Sequence, residues 1–159
     1  MTSTAQPAAD PRVGLTVVHR RYVPYSHAHY AGNLVDGAYS LGLFGDVATE
    51  LCIRLDGDEG LFAGYEEVRF HAPLMAGDVV ETTARLVGVG TRSRKVEFTA
   101  HVVCRGRPDR SASAAEVLPE PALVTSALGT VVVPPATARS DTPRDPESIR
   151  SAEVHPGPI

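Results

Sequence analysis

Two carboxylates one helical turn apart, Asp46 and Glu50, are the residues of this chain best suited to moving a proton. They stand in the i, i+4 relation inside the stretch Asn33–Leu55 (NLVDGAYSLGLFGDVATELCIRL), so a helix there brings them onto one face. At about 100° per residue, Asp36, Leu43 and Glu50 also fall within about 40° of one another. A carboxylate acts as a base near neutrality when burial or a like-charged neighbour raises its pKa, and the Asp46/Glu50 spacing offers the second. On spacing alone the competing interpretation is plainer: solvated carboxylates on a helix packed against its symmetry mate.

The loop before that helix, residues 23–32 (VPYSHAHYAG), crowds Tyr25, His27, His29 and Tyr30 together and ends at Gly32-Asn33. Amides at a helix N-terminus favour negative charge, so this junction can hold an oxyanion such as a thioester carbonyl becoming an enolate. For each histidine taken singly, an ordinary structural hydrogen bond competes with a chemical role. His27 and His29 alternate in a loop, which is a poor metal-ligand pattern, and no metal is expected. Gly37, Gly42 and Gly45 are costly helix residues, up to ~1 kcal/mol each against Ala. Their number points to close approach of another backbone or a ligand.

These groups need elements to position them. Residues 13–22 (VGLTVVHRRY) are β-branched and read as a strand, which Pro24 ends. Asn33 is a suitable N-cap for the long helix, and Asp56-Gly57-Asp58 supplies the stop. Four further strands follow: Leu61–Phe70, Val79–Val87, Lys95–Val103 and Leu123–Val133. A single helix buries its apolar face only if one sheet wraps around it. The expected class is therefore α+β with the hot-dog fold, one long central helix wrapped by a curved antiparallel β-sheet of about five strands.

Composition limits the alternatives. The chain has 159 residues, enough for one domain with its own core. Its 43% hydrophobic and 21% charged residues suit a globular protein. A formal net charge of -4 argues against a nucleic-acid partner, which needs a concentrated basic surface. Cys52 and Cys104 are too few for a disulfide framework or a zinc site and suit buried free thiols. No apolar run reaches the roughly 20 residues that span a bilayer, and Met1–Pro11 lacks the pattern of a signal peptide, so no membrane partner and a cytoplasmic location are expected. The expected organisation is a flexible N-terminal segment over 1–12, a hot-dog domain over 13–134 and a Pro-rich irregular tail over 135–159.

The runs HAHYAGNLVDGAYSLGLFGDVATEL, DGDEGLFAGYEEVRFHAPLMAGDVVE, VGTRSRKVEF and VLPEPALVTSALGTVVVP resemble the hot-dog ammonia lyases that act on 3-aminobutyryl-CoA and β-alanyl-CoA. The similarity extends over roughly residues 14–134. It implies reversible removal of ammonia from a β-amino acyl-CoA to give the 2-enoyl-CoA. It also implies a homodimer or a dimer-based higher oligomer, with no cofactor beyond the coenzyme A of the substrate.

By the same resemblance, His29, Tyr30, Gly32, Asn33, Gly37, Gly45, Asp46 and Glu50 match the residue types of the family's motif. Asp36 matches the aminobutyryl branch, whereas the β-alanyl branch accepts asparagine, so Asp36 is expected to shape the substrate pocket. His27 departs from the pattern by standing where an acidic residue is expected. In this chemistry Glu50 is the expected base and Asp46 the ammonium contact, or the reverse. Gly64-Tyr65 or Gly32-Asn33 would provide oxyanion amides.

Arg92, Arg94 and Lys95 form a basic cluster suited to the nucleotide phosphates of coenzyme A, and Arg105, Arg107 and Arg110 form a second. Ordinary surface charge explains either cluster equally well. Two other functions fit the same fold. One is a hot-dog acyl-CoA thioesterase or enoyl-CoA hydratase; the other is a non-catalytic acyl-CoA binding domain.

Overall fold

Apolar residues spaced for one helix face, Leu43, Phe44, Val47, Ala48, Leu51, Cys52 and Leu55, form the buried side of the single long helix, α1 (Gly37–Asp56). Five strands accompany it in the computed structural model, which describes residues 9–135: β1 (Thr16–Tyr22), β2 (Leu61–Phe70), β3 (Val79–Val89), β4 (Ser93–Gly106) and β5 (Ala115–Val132). They form one antiparallel sheet in the order β1-β3-β4-β5-β2. The inward positions alternate along the strands, as period-2 geometry requires: Val80, Thr82, Ala84 and Leu86 on β3, and Val96, Phe98, Ala100 and Val102 on β4. Phe44 and Phe98 stack at 5.1 Å where helix meets sheet. Burying each contributes roughly 1.5–3 kcal/mol. One helix against a five-stranded antiparallel sheet is the α+β architecture expected above.

The helix begins later than the sequence suggests. Asn33 does not cap it. It sits at φ 63 after Gly32 at φ 70, closing a 3₁₀ turn over Ala31–Asn33. The next two residues are drawn into isolated bridges, Leu34 with Met75 and Val35 with Ala28, which hold the backbone extended. Asp36 then becomes the N-cap, its Oδ1 accepting from the Tyr39 N–H at 3.1 Å. At the other end Gly57 adopts φ 67 and donates to the Ile53 carbonyl at 2.9 Å, the αL stop that the Asp-Gly-Asp run predicts.

Strand boundaries also move: β3 runs on to Val89, β4 extends from Ser93 to Gly106, and β1 and β5 start elsewhere. β1 starts at Thr16 because the chain turns over residues 11–14 before pairing. β5 starts eight residues earlier than Leu123, despite Pro119 and Pro121. Residues 118–121 bulge from the ladder between the pairs Val117–Cys104 and Ala122–Val102. There β5 pairs with β4 alone, since β2 reaches only Thr125, and an edge tolerates residues without an N–H.

No helix among the described residues is long and apolar enough to cross a membrane. Within the expected lead-in, Arg12 is tied to Asp10 at 2.8 Å and reaches Asp56 at 3.5 Å. Residues 1–8 and 136–159, nearly all of the expected tail, lie outside the described residues. Cys52 is fully buried, where burial raises its thiol pKa to about 11, while Cys104 is only half-buried; both are free.

Candidate active site

The first half of α1, the end of β1 and the loop between them enclose an open cleft of about 420 Å³. It is lined by Arg21, His27, Asp36, Tyr39, Gly42, Leu43 and Asp46. Asp36, Tyr39, Leu43 and Asp46 follow one another at helical spacing, so one stripe of α1 forms a wall. Arg21 arrives from β1, where alternation also places Val17 and His19 towards the helix.

Asp36 holds several of these parts together. Besides capping α1, its Oδ2 lies 3.6 Å from His29 Nδ1. The His27 ring lies tilted on Tyr39 at 4.7 Å, and His29 meets Tyr30 edge-on at 4.5 Å. His27 and Asp36 therefore line the cleft, His29 touches it through Asp36, and Tyr30 stands exposed behind His29. Gly37 is crowded by a side chain and not by the backbone or ligand expected: a Cβ there would meet the Phe70 ring at 2.6 Å. Gly42 and Gly45 face open space within the chain. Gly64 and Tyr65 do not line the cleft. They sit on the edge strand β2 between two register shifts, with the Tyr65 hydroxyl donating to the Leu41 carbonyl at 3.3 Å.

The two helix carboxylates are separated in role by their partners. Asp46 lines the cleft, has 62% of its side chain exposed, and meets Arg21 Nη1 at 3.4 Å. Glu50 does not line the cleft. Its Oε2 is hydrogen-bonded to His19 Nε2 and its Oε1 accepts from Arg54 Nε at 2.7 Å. Burial pushes the Glu50 carboxyl up, but the hydrogen bonds from His19 and Arg54 and the charges behind them outweigh it and hold it below its ordinary value. Asp46 is not among the groups that act on it. The expected like-charge elevation of the pair is therefore corrected: the hydrogen bonds of His19 and Arg54 to its two oxygens hold Glu50 below its ordinary value.

Arg94 is also corrected. It is the largest fully buried side chain, and its guanidinium forks onto Asp56 at 2.8 and 2.7 Å while donating to the Gly90 and Ser93 carbonyls. With 2% and 1% of their side chains exposed, Arg94 and Asp56 close the C-terminal end of α1 against the β3–β4 hairpin. Arg94 has no face left for a nucleotide phosphate. Arg92 donates to the Val133 carbonyl at 3.1 Å, and Lys95 pairs with Glu66 at 3.0 Å, both at the end of the helix away from the cleft. The second cluster is neutralised as well, Arg105 by buried Asp78 and Arg107 and Arg110 by Glu116. Among the described residues no three His, Cys, Asp or Glu side chains stand close enough to hold a metal ion.

His19, Arg21, Tyr39 and Arg54 were not singled out from sequence. The period-2 alternation of β1 was the available signal for the first two, and the i, i+4 relation to Glu50 for Arg54.

Fold and cleft define a hot-dog domain with carboxylates gathered at the start of its central helix. No model of a known protein family matches the chain. It is, however, 53% identical over 107 residues to the 3-aminobutyryl-CoA ammonia lyase of Acetoanaerobium sticklandii, a match covering 67% of this chain and 85% of that protein. The structure of β-alanyl-CoA:ammonia lyase from Clostridium propionicum superposes with a TM-score of 0.77 at 34% identity, covering 89% of this chain and 98% of that one. A hexameric hotdog fold thioesterase of Campylobacter jejuni, 21% identical, superposes at 0.61 over 83% of this chain and 91% of its own, a likeness of fold alone. The chain belongs to the hot-dog-fold family of 3-aminobutyryl-CoA and β-alanyl-CoA ammonia lyases.

Proposed function

We propose that this protein is a carbon–nitrogen lyase that reversibly eliminates ammonia from a β-amino acyl-CoA of the 3-aminobutyryl-CoA kind, giving the 2-enoyl-CoA. The observation that carries this is the identity with the Acetoanaerobium enzyme, which extends over most of that protein's length. The cleft suits the chemistry, because it combines two carboxylates with a helix N-terminus.

Of the carboxylates, Asp46 is the better base. It faces the cleft and has only a long, exposed contact to Arg21, whereas both oxygens of Glu50 are engaged elsewhere. In the proposed reaction Asp46 takes the proton from the carbon next to the thioester, and the electron pair passes onto the carbonyl oxygen. Asp36, at the helix N-terminus it caps, holds the substrate's ammonium group. The enolate then forms the carbon–carbon double bond as the C–N bond breaks and ammonia leaves with that electron pair. Asp46 finally returns its proton to solvent or ammonia. Backbone amides of the Gly32-Asn33 turn, just ahead of α1, are candidate oxyanion donors, with His29 supporting Asp36. Proton transfer and C–N cleavage, both carried by the electron pair of the thioester enolate, account for every step, so the proposal invokes no cofactor beyond the coenzyme A of the substrate.

The functional unit in this proposal is a homodimer, with larger assemblies built on it. Its support is β2, whose outer edge is unpaired among the described residues and whose Leu61 and Phe70 are 72% and 59% exposed. Arg92 and Lys95 then serve coenzyme A only if assembly brings them to a neighbouring cleft. A coenzyme A thioester as substrate supports a cytoplasmic site of action.

Incubation of the purified protein with crotonyl-CoA and ammonium tests the activity directly. Mass analysis should find 3-aminobutyryl-CoA without release of free thiol. Free thiol would assign a thioesterase instead, a hydrated product a hydratase, and no product a binding module.

A further inference from the structure

One buried polar group in the cleft has no hydrogen-bond use among the described residues. The Tyr39 hydroxyl is buried and has no hydrogen-bond partner among the described residues, although its side chain lines the cleft. Leaving a hydroxyl buried and unpaired costs about 1–3 kcal/mol, and such groups are few in folded proteins. The rest of the residue is anchored. Its N–H donates to the Asp36 carboxylate, and its ring rests on His27. The charges that act on the hydroxyl, Arg21 and Asp46, are paired with each other rather than with it. Burial raises the phenol above its ordinary 10.0, against the pull of Arg21 and with the help of Asp46, so it stays protonated and able to donate.

We infer that the Tyr39 hydroxyl is a catalytic hydrogen-bond donor to the thioester carbonyl oxygen of the bound acyl-CoA, an assignment that rests on the lyase activity proposed above. The substrate's ammonium group has no lone pair with which to accept this hydrogen bond, and Asp36 already answers its charge. The carbonyl oxygen is the acceptor at the reacting end. It gains charge as the α-proton moves to Asp46, so the hydrogen bond strengthens in the transition state, which is the condition for raising kcat. When the electron pair moves on to form the double bond, the carbonyl is restored. Tyr39 keeps its proton throughout. Reaching the buried hydroxyl requires the cleft wall to give way; the neighbouring wall residues Arg21 and Asp46 are joined only by an exposed 3.4 Å contact, of a kind that contributes ~0–1 kcal/mol.

Tyr39→Phe removes the hydroxyl and nothing else. Elimination should fall about 10²–10³-fold in kcat, with KM changed by less than about threefold. The Tm should be unchanged or higher, because the hydroxyl has no partner to lose among the described residues. A second assay, exchange of the α-protons of butyryl-CoA in deuterated water, reads enolate formation on a thioester with no amine to expel. It should fall by a similar factor. Wild-type rates in both assays would overturn the inference and leave the lyase activity standing. Tyr39-dependent exchange without any aminobutyryl-CoA formation would keep the inference and remove the lyase activity. A lower Tm or smaller assembly with turnover per folded molecule intact would overturn it by giving the hydroxyl an acceptor in a neighbouring subunit. A wild-type protein inactive in both assays would overturn both proposals.

Discussion

The imidazole of His19 and the carboxylate of Glu50 share a hydrogen bond that ties the first strand to the helix one turn beyond the cleft. The bond joins residues 31 apart in sequence, and Arg54 completes it from the following turn. Glu50 is thereby fixed as an anion that braces the helix below Asp46.

Acid stability should register this brace. Burial raises the Glu50 pKa, but His19 and Arg54 bring it below its ordinary 4.5. A carboxyl depressed on folding contributes stability that is fully present above its unfolded value and is lost as pH falls through its folded value. Chemical denaturation should therefore show wild-type stability falling below about pH 4.5, with a shallower fall in Glu50→Gln. Parallel curves for the two proteins would mean that the brace contributes nothing.

Turnover should separate the two carboxylates. Asp46→Asn is expected to lower kcat for ammonia elimination by about 10²–10⁴-fold, the usual contribution of a general base. Glu50→Gln should lose less than tenfold, because it removes a support and not the base. The opposite ranking in steady-state kinetics would return the base to Glu50.

The buried arginine allows a test that opposes stability to binding. Arg94→Met removes the buried bidentate partner of the Asp56 carboxylate, whose longer 3.5 Å contact with Arg12 remains. Loss of one partner from a buried pair costs about 3–5 kcal/mol, seen as a fall in Tm on the order of 10 °C. Replacing both, as Arg94→Met with Asp56→Leu, should recover part of that loss. An unchanged Tm with a raised KM for the acyl-CoA would instead make Arg94 a phosphate ligand.

Assembly can be addressed at β2. Lysine on an exposed edge strand discourages pairing with another copy. Leu61→Lys combined with Ala63→Lys should shift sedimentation from dimer or larger towards the single chain, with activity falling in parallel. A monomeric wild-type protein that is fully active would remove the dimer from the proposal.

Local signals made much of this molecule legible. The apolar spacing from Leu43 to Leu55 gave the helix its buried side, and Asp56-Gly57-Asp58 marked its end, because both depend on neighbours in the chain. The choice of cap was not local. Asn33 and Asp36 are both good caps, and pairing of Leu34 with Met75, far along the chain, decided between them. The same applies to charge. Nothing near Arg94 in sequence announces that Asp56, 38 residues away, will bury it, or that His19 will reach Glu50. The cleft carboxylates Asp36 and Asp46 were visible from spacing; Tyr39 was not, since an unpaired hydroxyl is a property of three-dimensional packing.

Asp36 caps the helix with one oxygen and faces the cleft with the same side chain. Asparagine caps a helix about as well as aspartate, whereas alanine costs about 1 kcal/mol there. Exchange between the two acid-and-amide forms therefore changes the charge offered to an incoming amine while leaving the scaffold indifferent. With Asp36 in the role proposed above, amine preference in this protein is a trait that a single substitution can retune without a folding penalty, provided the substitute can still accept a hydrogen bond from the Tyr39 N–H.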